Sequence, residues 1–144
     1  MNIKHVKNVH REDEEMHYCG TDIIEVERVK QAIQNTKGFK EKVYTKNEIE
    51  EAKNKGEKLL YEYFAGRFAA KEAIYKALSK IKDSLNLFEI EVRNDKNNKN
   101  RPYVIMYDDD INHLIKTGKM KIDVSISHIK EYATATAIIE YNND

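Results

Sequence analysis

Apolar and polar positions follow one another along this chain in a few distinct spacings, and each spacing predicts an element. HYCGTDIIE, beginning at His17, gathers apolar and β-branched residues without helical spacing, which predicts a short buried strand over about His17–Ile24. Val26, Val29 and Ile33 then recur at helical intervals, so a helix is predicted from about Glu25 to Thr36, ended by Gly38. Phe39–Val43 reads as a further turn. In TKNEIEEA, Thr45 stands as a helix N-cap with Glu48 at the third position, a capping box opening a charged helix that runs to about Asn54. Gly56 breaks that helix before a long one covering Phe64–Leu78 and reaching back as far as Lys58.

The second half changes period. LFEIEVR alternates well enough for a strand over Leu87–Arg93, with Tyr103–Tyr107 as its hairpin partner and NDKNNKNR as a solvated loop between them. Asp108 caps a short helix ending near Gly118, after which IDVSIS and TATAIIEY form a second hairpin around HIKEY. Helices early and antiparallel strands late make the fold class α+β, with helices packed on an antiparallel sheet and no internal repeat.

The long helix poses the chemical question. Gly66, Ala70, Ala73 and Ala77 form one stripe of small residues along which another backbone can approach closely. Glu72 falls among Ala65, Phe68 and Ala69 with Lys76 one turn later, while Arg67 and Lys71 stand a turn apart beside Ile74 and Leu78. Small residues and inward charges together suit burial against a second chain better than a monomer surface. Asp22 in GTDIIE and His128 at the end of DVSISH are further polar positions inside apolar segments. Each has a plain explanation, as a cap, an exposed side chain or a turn residue. If Asp22 and Glu72 converge, however, they offer two hard oxygen ligands to a cation whose remaining positions stay open, which is Mg2+ chemistry. Arg67, Lys71 and Lys76 are donors suited to phosphate oxygens. The residues alone therefore indicate a metal-assisted phosphate site.

Composition narrows the setting. A chain of 144 residues is most simply one domain, and 25 Lys and Arg against 25 Asp and Glu give no net charge to draw it to nucleic acid or a membrane surface. One cysteine, Cys19, fits a reducing compartment, with the cytoplasm as the expected location. No apolar run approaches the roughly 20 residues of a membrane span, and the first residues lack a signal peptide's apolar centre. Met1–Glu15, with its acidic cluster Glu12–Glu15, is read as a mobile extension dispensable for folding, and residues 16–144 as the folded domain.

GTDIIEVERV, FAGRFAAKEAIYKAL and VSISHIKEYATATAII, in this order, resemble the three signature segments of the holo-acyl-carrier-protein synthases, the small class of 4'-phosphopantetheinyl transferases. The resemblance runs from about Met16 to Tyr141. It implies a homotrimer with active sites between subunits, and transfer of the phosphopantetheine arm of coenzyme A to a serine of acyl carrier protein, releasing adenosine 3',5'-bisphosphate. By resemblance Asp22 and Glu72 match the Mg2+ ligands, Lys76 a lysine near the pyrophosphate, Arg67 an arginine at the nucleotide's phosphate, and His128 a histidine at the coenzyme A site. The base that receives the serine proton is Glu72 or a water at the metal. Arg28, Lys30, Lys37, Lys40 and Lys42 gather on the first helix and the segment after it, and the resemblance makes this basic patch the docking surface for an acidic carrier protein. Two positions depart from the family: Ile129 follows His128 where a small polar residue is common, and NNKNRPY lacks the usual glycine before its proline. A metal-dependent phosphoesterase using the same carboxylates, and a nucleic-acid-binding module built on the Lys- and Asn-rich loop Asn94–Arg101, are the competing readings.

Overall fold

The computed structural model describes residues 15–142. Strand β1 (Glu15–Glu25) leads directly into helix α1 (Val26–Asn35), followed by α2 (Phe39–Val43), α3 (Lys46–Ala52) and the 22-residue α4 (Glu57–Leu78). A single 3-10 turn at Leu87–Glu89 precedes β2 (Ile90–Asp95) and β3 (Arg101–Met106). Helix α5 (Asp109–Lys116) then leads to the closing hairpin, β4 (Met120–His128) and β5 (Tyr132–Asn142). The elements form an antiparallel sheet in the order β1-β5-β4, a separate β2-β3 ribbon, and helices packed against them, which is the α+β arrangement the spacings predict.

Strand β1 is longer than its apolar pattern suggests because β5 pairs with it over its whole length, from Glu15↔Asn142 to Glu25↔Tyr132. This pairing includes Glu15, one residue before the expected boundary, and the rest of the predicted extension, residues 1–14, lies outside the described residues. The Leu87–Arg93 strand is shortened at its start. Leu87 O accepts a hydrogen bond from Lys71 Nζ at 3.1 Å, and Asn86 O accepts one from Glu89 N at 3.0 Å, so these carbonyls close a turn instead of a ladder. The capping box of α3 forms as read: Thr45 Oγ1 accepts from Glu48 N, and Glu48 Oε1 accepts from Thr45 N. In the β2–β3 loop, Lys99 (φ 55°) and Asn100 (φ 57°) take the left-handed conformation. The turn a glycine would make easily is here carried by asparagine, which tolerates that region better than most residues.

The core lies between α4 and the sheet, and the approach is unusually close because both faces are small. Ala133, Ala135 and Ala137 of β5 are buried at every second position, facing the stripe Gly66, Ala70, Ala73 and Ala77 of α4. Gly20 of β1 completes the contact: a Cβ placed there would stand 1.9 Å from Ala73 O and 2.8 Å from Ala77 N. The stripe is therefore covered by the chain's own sheet, and it supplies no argument for a second chain. Larger side chains close the ends of this layer, including Phe64, Ile74 and Leu78 of α4 and Ile139 of β5. No helix among the described residues is long and apolar enough to cross a membrane.

Backbone cannot rotate away from a new methyl as a flexible side chain can. Gly20→Ala should lower unfolding free energy by about 1–3 kcal/mol or more, the usual range for overpacking. Urea denaturation measures it, and a change within experimental error would contradict this packing.

Candidate active site

Gly20 also decides where Asp22 points. Alternate residues of a strand share a face, so Asp22 turns toward α4 as Gly20 does, and the close approach brings it to the lysine one helical turn beyond Glu72. Lys76 Nζ donates to Asp22 Oδ1 at 3.1 Å and to Thr21 O at 3.0 Å. Thr134 Oγ1 on β5 donates to Asp22 O at 2.9 Å and fixes the strand at this point. Asp22 and Glu72 line one cavity of about 330 Å3 with Ile23, Ile24, Glu25, Arg28, Phe68 and Tyr132. Burial pushes the Glu72 carboxyl up from the ordinary range, the charge of Asp22 pushes it further, and Lys76 opposes both.

This donor set fits a hard divalent cation. Two carboxylates close enough to repel each other, lining one cavity with open positions, are what Mg2+ binding with additional phosphate or water ligands requires. Asp22 and Glu72, fifty residues apart in sequence, thus line the same cavity, and Lys76 bonds to Asp22 beside it.

Arg67 and His128 lie elsewhere. They line a second cavity of about 320 Å3, with Lys55, Leu59, Glu62, Tyr63, Gly66, Asn94 and Ile126, and share no lining residue with the first. In the sheet, His128 ends β4 at one edge and Asp22 belongs to β1 at the other, with β5 between them. Arg67 is buried, and its Nε and Nη2 have no hydrogen-bond partner among the described residues. Such a group is costly to bury unless a ligand supplies the acceptor. His128 Nδ1 lies 3.5 Å from Glu62 Oε2. Ile129 is exposed and contributes its backbone N–H to Tyr132 O in the hairpin turn.

Lys71 must be removed from the cofactor-binding set. Its side chain is wholly buried, 2.5 Å from Glu48 Oε1, and it donates to Val43 O at 2.9 Å, Leu87 O at 3.1 Å and Ile90 O at 2.5 Å. Burial lowers its pKa from the usual lysine value while Glu48 opposes that shift. With its donors committed to core carbonyls, this lysine ties α2, α4 and β2 together and has nothing left for a phosphate. A second buried carboxylate, Glu91, joins the same cluster through Thr45 Oγ1 at 2.5 Å and Tyr107 Oη at 3.1 Å.

Of the basic patch, Arg28 opens into the cavity of Asp22 and Glu72, and Lys30 Nζ lies 5.4 Å from the Tyr61 ring. Lys37 and Lys40 line a separate surface hollow, and Lys42 is exposed on α2. The sequence reading did not single out Lys55, Glu62, Tyr63 or Asn94 of the second cavity, nor Phe68 or Tyr132 of the first. For Glu62 and Tyr63 a signal existed, since they precede Gly66 and Arg67 by one turn of the same helix.

A family model described as the 4'-phosphopantetheinyl transferase superfamily matches residues 18–137. The chain belongs to that superfamily. It is 41% identical over 122 residues to the holo-[acyl-carrier-protein] synthase of Fusobacterium nucleatum, a match covering 83% of this chain and 95% of that one. Among solved structures, the holo-(acyl-carrier-protein) synthase of Bacillus anthracis in complex with CoA (3',5'-ADP) superposes with a TM-score of 0.69 at 34% identity, over 86% of this chain and 96% of the other. A synthase–CoA complex from Chronobacterium ammoniagenes gives 0.73 at 27% identity, over 88% and 98%. Membership makes the chain a transferase and agrees with the α+β fold read from the sequence.

Two outcomes follow from this geometry. Because its carboxyl is raised in the fold, Glu72 favours the folded state most below the ordinary carboxylate range, and that contribution is lost as pH rises through the raised value. In metal-free protein Glu72→Gln should remove this decline, and the thermal stabilisation that MgCl2 gives wild type at neutral pH should disappear with it; equal stabilisation of both proteins would contradict the assignment. Lys71→Met leaves Glu48 buried without its counter-charge, and should cost about 3–5 kcal/mol in urea denaturation. A loss below about 1 kcal/mol would show that the buried pair does not hold the core.

Proposed function

We propose that this transferase moves the 4'-phosphopantetheine group of coenzyme A to a serine hydroxyl of an apo-acyl carrier protein, releasing adenosine 3',5'-bisphosphate. The observation that carries the reading is the convergence of Asp22 and Glu72 on one cavity, with Lys76 bonded to Asp22. The names of the relatives point the same way, as does the bound CoA of the Bacillus anthracis and Chronobacterium ammoniagenes structures. The same relatives do not favour a phosphoesterase or a nucleic-acid-binding module.

In the reaction, the serine oxygen forms a bond to the phosphorus bearing pantetheine, and the bond from that phosphorus to the bridging oxygen of the pyrophosphate breaks. Asp22 and Glu72 would hold Mg2+, which when bound neutralises charge on the pyrophosphate oxygens. Lys76, half exposed beside Asp22, is placed to exchange that partner for the charge growing on the departing bisphosphate. Glu72, or a water at the metal, would receive the serine proton, and the raised pKa of Glu72 suits a base better than an ordinary exposed carboxylate. Arg67, with two unpartnered N–H groups, would hold a phosphate of the nucleotide, and His128 would stand beside it.

Because the two cavities open at opposite edges of the sheet, a homotrimer that joins the Asp22 cavity of one copy to the Arg67 cavity of the next is the assembly this reading requires. The open face of the sheet supports contact between copies: Cys19, Thr21 and Ile23 of β1 lie beside Ile138, Thr136 and Thr134 of β5, and Ile23 and Ile138 are 67% and 49% exposed. The carrier protein would dock on Arg28, Lys30, Lys37, Lys40 and Lys42, the first of which borders the reacting cavity. The reaction is placed in the cytoplasm, where carrier protein and coenzyme A are both at hand.

Asp22→Asn and Glu72→Gln should each fold and lose about two to three orders of magnitude in transfer, as loss of a preorganised electrostatic contact does. The double variant should be little worse than either single one, because both disable one metal position. Mass spectrometry of an apo-carrier protein incubated with coenzyme A and Mg2+ measures this, and near-normal transfer by the folded variants would sink it. Reversing Arg28 and Lys42 to Glu should raise KM for carrier protein several-fold, each exposed charge being worth at most about 1 kcal/mol, and leave KM for coenzyme A less affected. Equal effects on both would remove the docking surface from the account.

A further inference from the structure

One side chain of the second cavity has no part in the chemistry above. Tyr63 is buried one turn before Arg67 on α4, and the guanidinium carbon of Arg67 stands 4.4 Å from the centre of its ring. The ring is held from two sides. Its hydroxyl donates to Glu48 O at 3.1 Å, and Phe64 meets it edge-on with centroids 5.6 Å apart at 70°. A guanidinium lying against an aromatic face keeps its N–H groups free, because they point outward in its own plane, and the stack fixes that plane. In the structure Nε and Nη2 of Arg67 are buried without a partner among the described residues. The carboxylate that shares the cavity, Glu62, faces His128 at 3.5 Å and does not pair with Arg67.

We propose that Tyr63 is a positioning residue for coenzyme A binding, its ring holding the Arg67 guanidinium so that Nε and Nη2 face a phosphate of the nucleotide. This rests on the reading of Arg67 as a phosphate contact. The ring does the positioning and the hydroxyl serves only to anchor the ring, so Tyr63→Phe retains the function and an aliphatic residue does not. A residue that merely fills the core would act on stability alone and would act the same whether or not Arg67 were present.

The test is the Kd of coenzyme A, by calorimetry on the purified full-length protein with Mg2+, for Tyr63→Phe, Tyr63→Leu, Arg67→Ala and the double variant Tyr63→Leu/Arg67→Ala. Tyr63→Phe should bind within about twofold of wild type and Tyr63→Leu about tenfold more weakly, the equivalent of about 1.4 kcal/mol. At saturating coenzyme A, kcat of Tyr63→Leu should change by less than about threefold, and in the Arg67→Ala background the leucine should add little, since the residue it positions is gone. An unchanged Kd for Tyr63→Leu, or the same tenfold loss in the Arg67→Ala background, overturns the proposal while leaving Arg67 a phosphate contact. An unchanged Kd for Arg67→Ala overturns both. If Tyr63→Leu fails to fold, Tyr63→Met takes its place: a Kd for coenzyme A about tenfold weaker than wild type supports the stack, and an unchanged Kd overturns it.

Discussion

The site depends on how closely α4 lies on the sheet. Gly20 has no side chain because the carbonyl of Ala73 occupies the space one would need, and the alanines of β5 and α4 keep the rest of the contact equally thin. This constraint sets the geometry two residues on, where Asp22 leaves the same face of β1 and reaches Lys76 and the neighbourhood of Glu72. A bulkier pair of faces would bury more apolar surface and carry the carboxylates apart. The cavity of Asp22 and Glu72 is thus a product of small residues that carry no charge themselves.

The charges of α4 then divide by flank. Glu72 borders a cavity, Lys76 pairs with Asp22 beside it, Arg67 borders another cavity, and Lys71 is sealed between α2, the 3-10 turn and β2 with Glu48 as its counter-charge. One helix therefore carries charge in two settings, lining cavities on its edges and tethering the core on its buried side. The buried tether holds the start of β2 and the end of α2 to α4, so the helix is fixed on the side away from the sheet as well.

How far the sequence reveals this follows from the range of each interaction. The capping box of Thr45 and Glu48, the helical stripe of α4 and the alternation of β5 are local, and all are legible as spacing. The convergence of Asp22 with Glu72 is not, since it depends on β1 pairing with β5 and on α4 crossing them; the quoted signature segments gave it by resemblance. Lys71 was misread because helical spacing puts it one turn from Arg67 without revealing that β2 and α2 close over it. Leu87–Glu89 was misread for a related reason: its alternation suits a strand, but a lysine from another element takes the Leu87 carbonyl. Glu62 and Tyr63 carry only the signal of standing one turn before Gly66 and Arg67, and the cavity they face forms only when β4 brings His128 to it.

The account's central claim is that the Asp22 cavity of one chain and the Arg67 cavity of another make one site. Subunit mixing tests it most directly. Asp22→Asn and Arg67→Ala chains, each nearly inactive in transfer at limiting coenzyme A, are unfolded together in equal amounts, refolded and assayed. If each site draws Asp22 and Arg67 from different copies, about a quarter of the sites receive both intact residues and activity rises well above that of either variant alone. If each chain builds its whole site from itself, the mixture stays at the mean of the two inactive variants, and the claim fails.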